Sequence, residues 1–170
     1  MKPQKLTRAL LKPGAVFWQA YVDTDPETQR TSVSLTEWRI KSVLNRRPTV
    51  DAAPVPTAFF VRKVDGHTWV KLSSRSGDYG WSPNIGEFDR KSCHLGDMLP
   101  DGLATTKRRA CELASHQLQV RHERLVTLSQ RTGMESPEQD PEYMAEYEQE
   151  VAAAARAVAY WTTREKKPSA

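Results

Sequence analysis

Cysteine is scarce: Cys93 and Cys111 are the only two in 170 residues, which excludes a secreted scaffold held by several disulfides. Long hydrophobic runs are missing as well. The apolar run near the start, Ala9–Leu11, stops at Lys12-Pro13 and is too short for a signal-peptide core. No segment approaches the roughly 20 apolar residues that cross a bilayer, so a soluble cytoplasmic protein is expected. There is no internal repeat. Catalytic signatures are equally absent. No Gly-x-Ser-x-Gly elbow presents a nucleophilic serine. The Cys93-His94 pair and the Cys111…His116 pair both miss zinc-ligand spacing, and on a helix five residues place two side chains about 140° apart. Neither a cofactor nor a metal is expected.

What the chain does have is charge, tryptophan and proline. Hydrophobic residues make up 38% and charged residues 27%, enough for a core under a polar surface. Five tryptophans need packing partners and argue against disorder. The net charge of +4 hides an asymmetry: residues 135–150 hold seven acids and no base, so the rest of the chain is strongly basic. Such a body attracts anionic partners, or else the acidic stretch docks on its own basic neighbour.

The first half reads as strands and the last third as helices, the order of an α+β fold. Val16–Val22 is rich in aromatic and β-branched residues and is a strand. Ser32–Leu44 is a second, in which the apolar set moves from Val33 and Leu35 to Trp38 and Ile40. That change of phase predicts a bulge near Thr36–Glu37, with a helix beginning after Leu35 as the competing reading. The run from Phe59 to Leu72 holds two β-rich segments around Asp65-Gly66, a type I′ turn signal. A two-residue turn there would set Arg62 opposite Trp69, Val61 opposite Val70 and Phe60 opposite Lys71. One face then carries Phe59, Val61, Val70 and Leu72 as the core side. The other carries Phe60, Arg62, Val64, His67, Trp69 and Lys71.

Ser74–Trp81, "SRSGDYGW", has two glycines near serines and an arginine, as a phosphate-binding loop would. Such a loop works by opening a helix with its N–H groups aimed at the phosphate. Trp81, Ser82 and Pro83 open no helix, so a turn at Ser76–Asp78 returning through Tyr79–Trp81 is expected. Residues 85–99 show no clear periodicity.

A long helix follows, capped by Thr105 or Thr106 and ended by Gly133. Its expected buried stripe is Ala110, Cys111, Ala114, Leu118, Leu125 and Leu128. Ser136-Pro137 and Asp140-Pro141 are two successive helix starts, each a capping residue before a proline. The second helix carries Tyr143, Tyr147, Val151, Ala154, Ala155 and Val158 on one side. A short link makes the two an antiparallel hairpin, with the glutamates that begin the second helix near Arg121, Arg124 and Arg131.

The expectation is therefore a small antiparallel sheet of about four to five strands in residues 1–99, followed by a long antiparallel two-helix hairpin in residues 100–170. The two are expected to form one compact unit. The candidate binding residues are Phe60, Arg62, Trp69 and Lys71, with Tyr79 and Trp81 beside them. Aromatic rings with arginine suit a protein partner, since these residues anchor interface hot spots. Rings with cations also suit single-stranded nucleic acid, the second reading. An enzyme centred on Cys93 and His94 is the third. A homodimer through the helical hairpin is a further expectation. The layout of the whole chain, rather than any motif, resembles short accessory proteins of phages and mobile elements. That resemblance implies non-enzymatic binding to a host or phage macromolecule.

Overall fold

A computed structural model describes residues 4–63, 90–100 and 102–165, together with the backbone of the strands Thr68–Lys71 and Tyr79–Ser82. The elements in chain order are β1 (Val16–Thr24), β2 (Thr31–Arg46), β3 (Val55–Arg62), β4 (Thr68–Lys71), β5 (Tyr79–Ser82), β6 (Arg90–His94), α1 (Lys107–Thr132) and α2 (Pro141–Glu165). One turn of 3-10 helix, Pro137–Gln139, precedes α2. A four-stranded sheet has the order β1-β2-β3-β6, and β4 and β5 form a separate two-stranded ribbon. The α+β architecture expected from the sequence is the one formed. The chain divides into two compact units that interleave along the sequence: Lys2–Gln19 with Thr36–Thr105, and Ala20–Leu35 with Thr106–Ala170.

In the first unit the core gathers Leu6, Phe17, Trp38, Ile40, Ala58, Phe60, Cys93, Leu99 and Leu103. Phe17 and Phe60 meet edge to face, centroids 5.1 Å apart, a geometry that aligns the positive ring edge with the negative ring face. β3 pairs antiparallel with β2 on one side and with β6 on the other. Phe60 therefore lies between Ile40 and Lys91, and Val61 between Arg39 and Arg90. This corrects the hairpin predicted around Asp65-Gly66: both edges of β3 are occupied, and β4 pairs with β5 instead. The faces are corrected too. Ala58 and Phe60 are fully buried in the core, while Phe59 is only partly covered. Val61 is buried as predicted.

β6 escaped the sequence reading because Arg-Lys-Ser-Cys-His has neither alternation nor β-branched residues; its strand form comes from pairing with β3. Leu6 was also unforeseen. Its N–H donates to Asp97 O (2.8 Å), Leu99 N–H donates to Gln4 O (2.8 Å), and Gly96 N–H donates to Leu6 O (2.9 Å). Gly96 sits at φ +93°, a left-handed conformation that glycine adopts without a Cβ penalty.

The burial phase of β2 changes where predicted, but for another reason. Val33 and Leu35 are half-buried in the helical unit, whereas Trp38, Ile40 and Ser42 are buried in the sheet unit. The strand passes from one unit to the other between Leu35 and Thr36. The irregular pairing with β3 falls between Ile40 and Ser42, rather than at Thr36–Glu37. Beside it, Ile40 N–H donates to Ala15 O and Gly14 N–H donates to Ile40 O.

In the second unit three of the helix signals act where the sequence places them, while Ser136 forms no side-chain cap and only the 3-10 turn follows it. The Thr106 side chain accepts from Arg109 N–H (3.1 Å). Gly133 closes α1 at φ +70°, its N–H donating to Ser129 O, the left-handed C-terminal cap. Asp140 Oδ1 accepts from Glu142 N–H and Tyr143 N–H, so it caps α2 ahead of Pro141. The helices are antiparallel: Arg108 at the start of α1 meets Glu165 at the end of α2, by N–H to Oε1 at 3.2 Å and Nε to Oε2 at 3.4 Å. Further along, His122 of α1 stacks on Tyr147 with centroids 4.4 Å apart, and its Nδ1 is 3.2 Å from the Tyr143 hydroxyl. The expected stripe of α1 holds for Ala110, Cys111, Ala114 and Leu118, but Leu125 and Leu128 are exposed. On α2 the buried residues are Glu150, Ala153 and Ala154, and Ala155 is exposed. The tip of the β1–β2 hairpin belongs to this unit. Asp25 Oδ1 accepts from Glu27 N–H and Thr28 N–H, and the backbone N–H of Thr28, then that of Glu27, hold its carboxyl below the usual range.

Candidate binding surface

Six residues were singled out from sequence, and the structure separates them. Phe60 leaves the set: it is 0% exposed, and its ring is spent on the core contact with Phe17. Arg62 is exposed at the end of β3 and stands opposite Trp38 of β2, not opposite Trp69.

The other four come together by a different pairing. In the β4–β5 ribbon Trp69 is the cross-strand partner of Trp81, and Lys71 that of Tyr79. Directly opposed residues in an antiparallel pair share a face, and so do residues two apart on one strand. Trp69, Lys71, Tyr79 and Trp81 accordingly occupy one register face, with Val70 and Gly80 on the other. The expected turn at Ser76–Asp78 and the Asp65-Gly66 turn lie outside the described residues. The strands that lead into and out of Ser76–Asp78 pair with each other, as a turn between them requires.

The Cys93–His94 constellation does not assemble a nucleophile. Cys93 Sγ is 3.2 Å from Met98 O and 3.5 Å from His94 O, so its thiol donates to carbonyls. Burial, reinforced by the Asp97 carboxylate, pushes that thiol up to about 11, away from the thiolate that attacks. His94 is held elsewhere. Its Nδ1 is 2.7 Å from Thr57 Oγ1, which is 3.1 Å from Val55 O. A hydroxyl has one proton, and donating it to Val55 O leaves Thr57 to accept from Nδ1–H. Cys111 is fully buried on the packed stripe of α1, and burial with the nearby Glu165 raises its thiol to about 11. Among the described residues, no three His, Cys, Asp or Glu side chains converge as a metal-ligand set. Likewise, among those residues no helix is long and apolar enough to cross a membrane.

One surface was missed. At the tip of the helical hairpin, a cleft of about 460 Å³ is lined by Leu125, Leu128, Ser129, Met134, Ser136 and Pro137, among others. Leu125 and Leu128 have helical spacing and so read as core. The signal that marks them as surface is the pair of arginines that flank them, Arg124 and Arg131. No protein-family model, curated protein or solved structure matches the chain.

Proposed function

We propose that this chain is a non-enzymatic macromolecule-binding accessory protein, and that the β4–β5 face of Trp69, Lys71, Tyr79 and Trp81 engages a protein partner. The cross-strand register carries the reading: it gathers three large aromatic residues and one lysine within two pairs of adjacent positions. Tryptophan and tyrosine supply most of the energy at protein interfaces, where a few clustered rings dominate. Nucleic acid calls for more cations. Its affinity comes from neutralised phosphates and the counterions they release, and this face holds a single lysine for three rings. The protonated, carbonyl-bound thiol of Cys93 supports the non-enzymatic half of the reading.

The test is fluorescence anisotropy of labelled single- and double-stranded oligonucleotides against wild type and Trp69→Ala, at low and high salt. The expected result is a flat titration for both proteins. Single-strand binding that weakens with salt and drops with Trp69→Ala would replace the protein partner with nucleic acid stacked on the same rings.

A further inference from the structure

The tip of the helical hairpin presents two unsatisfied halves of one interface. Along α1, Leu113, Val120, Arg124, Leu128 and Arg131 share a stripe about 80° wide at 100° per residue. Leu113 is buried, but Val120 and Leu128 on the same stripe are 37% and 53% exposed, with Leu125 at 37% and Met134 at 69% beside them. A groove of about 330 Å³ runs through Val120, Glu123, Arg124, Thr127, Leu128 and Arg131. It continues at Leu128 into the larger cleft that Met134 lines.

The cations on this stripe cannot be neutralised by their own α2. His122 faces α2, stacking on Tyr147, and Ser129 is buried seven residues on. Arg124 and Arg131 each follow one of these by two positions, which turns them about 200° round the helix to its opposite side. Among the described residues neither forms an ion pair. Arg121 alone approaches the acids, favouring the charged forms of Glu150 and Tyr143. The sequence sets the glutamates that begin α2 near all three arginines, but among the described residues Arg124 and Arg131 form no ion pair with them.

The acids are left over in the same way. Glu138, Glu142, Glu146 and Glu148 are exposed, and among the described residues none has a salt-bridge partner. Burial pushes the Glu150 carboxyl above its ordinary value, and Glu146 and Asp23 reinforce the shift against Arg121. Glu138, Glu142, Glu146 and Glu148 therefore line the start of α2 with no salt bridge among the described residues to offset them.

We infer that the hairpin tip is a homodimer contact, in which the apolar-and-arginine stripe of α1 in one copy receives the acidic start of α2 from a second copy. A two-fold interface applies each contact twice, so a surface with one basic and one acidic half is self-complementary. The occupant is a second copy because the complement lies on this very hairpin: the exposed Glu138, Glu142, Glu146 and Glu148, against Arg124 and Arg131. Leu128 and Met134 supply the apolar centre, and the charges set register and encounter rate. The inference uses no residue of the β4–β5 ribbon and stands apart from the reading of that face.

Sedimentation equilibrium of the full chain tests it, with two charge-reversal variants. Arg124→Glu/Arg131→Glu makes both halves acidic, and reversing the four exposed glutamates, Glu138→Lys/Glu142→Lys/Glu146→Lys/Glu148→Lys, makes both halves basic. Wild type is expected to sediment as a dimer that weakens with salt, and each variant alone to dimerise at least tenfold more weakly. Mixed in equal amounts, the two variants regain complementarity on both halves and are expected to form a heterodimer. Leu128→Asp, at an exposed position, is expected to dissociate the dimer without loss of helicity by circular dichroism. A monomeric wild type at low salt overturns the inference, including one that binds a synthetic acidic peptide instead. So does a dimer indifferent to both reversals, or a mixture that stays monomeric.

Discussion

Replacing Phe60 by alanine separates a core ring from a binding ring. Phe60 is fully buried, touches Phe17 edge to face at 5.1 Å, and lies in the middle strand of three, between Ile40 and Lys91. Truncating a buried phenylalanine costs about 3–5 kcal/mol, through lost transfer energy and the cavity left behind. The aromatic pair accounts for about 0.5–1.5 kcal/mol of that. At about 2–4 °C per kcal/mol for a chain of this size, the melting temperature should fall by roughly 6–20 °C. Urea unfolding followed by circular dichroism measures the loss, and a double-mutant cycle with Phe17→Leu isolates the pair term. Phe60→Leu keeps most of the volume and should cost well under half as much. A Phe60→Ala loss below about 1 kcal/mol, far under the range for a core phenylalanine, would refute the placement of this ring and return it to the surface.

Three further outcomes follow from local geometry. Gly133→Ala should destabilise α1 by about 1 kcal/mol in thermal melts: a Cβ there meets nothing within 4 Å, so the cost is the strain of alanine at φ +70°. Thr106→Ala removes the acceptor for Arg109 N–H and should cost about 0.5–2 kcal/mol, with Thr106→Ser recovering most of it. Cys93 and Cys111 should label slowly in the native protein at neutral pH and quickly once it is unfolded. Their thiols rise from 9.0 to about 11 on burial, so the folded state holds these protons more tightly. Their contribution to stability is complete below pH 9 and is lost as pH rises toward about 11. Stability measured across that window in a Cys93→Ser/Cys111→Ser variant should fall less steeply than in wild type.

Signals confined to a few neighbouring residues were legible. Thr106, Gly133 and Asp140-Pro141 bound the two long helices because caps act through backbone groups within one turn, whereas Ser136-Pro137 opens only one turn of 3-10 helix and the Ser136 side chain makes no cap bond. Long-range pairing was not legible. Asp65-Gly66 favours a hairpin by about as much as any dipeptide can, yet β3 is taken on both edges by β2 and β6, and that competition has no local trace. β6 shows the converse: Arg90–His94 lacks strand propensity, and cross-strand pairing supplies what its composition does not. The shift in β2 from Leu35 to Trp38 reads as a bulge in the sequence, whereas the irregular pairing falls between Ile40 and Ser42. A strand that serves two units changes its buried face with its burial partner, and a single sequence cannot tell that from an inserted residue. The candidate binding residues come together only in part for the same reason. Trp69, Lys71, Tyr79 and Trp81 were chosen for their chemistry, and the β4–β5 register brings them onto one face, whereas Phe60 has the same chemistry and lies in the core.

The central claim is that one face of the β4–β5 ribbon meets a protein, and its most direct test is a photo-crosslinking scan through positions 69, 70, 71, 79, 80 and 81. A photoreactive residue is placed at each position in turn, the protein is irradiated in extract from its own cells, and the adducts are digested with protease or nuclease. The account predicts one discrete, nuclease-resistant protein adduct from positions 69, 71, 79 and 81. Positions 70 and 80 should yield little of it, and Trp69→Ala should weaken the adduct formed from position 81. Equal yields from both sets of positions, or an adduct that nuclease removes, would contradict it.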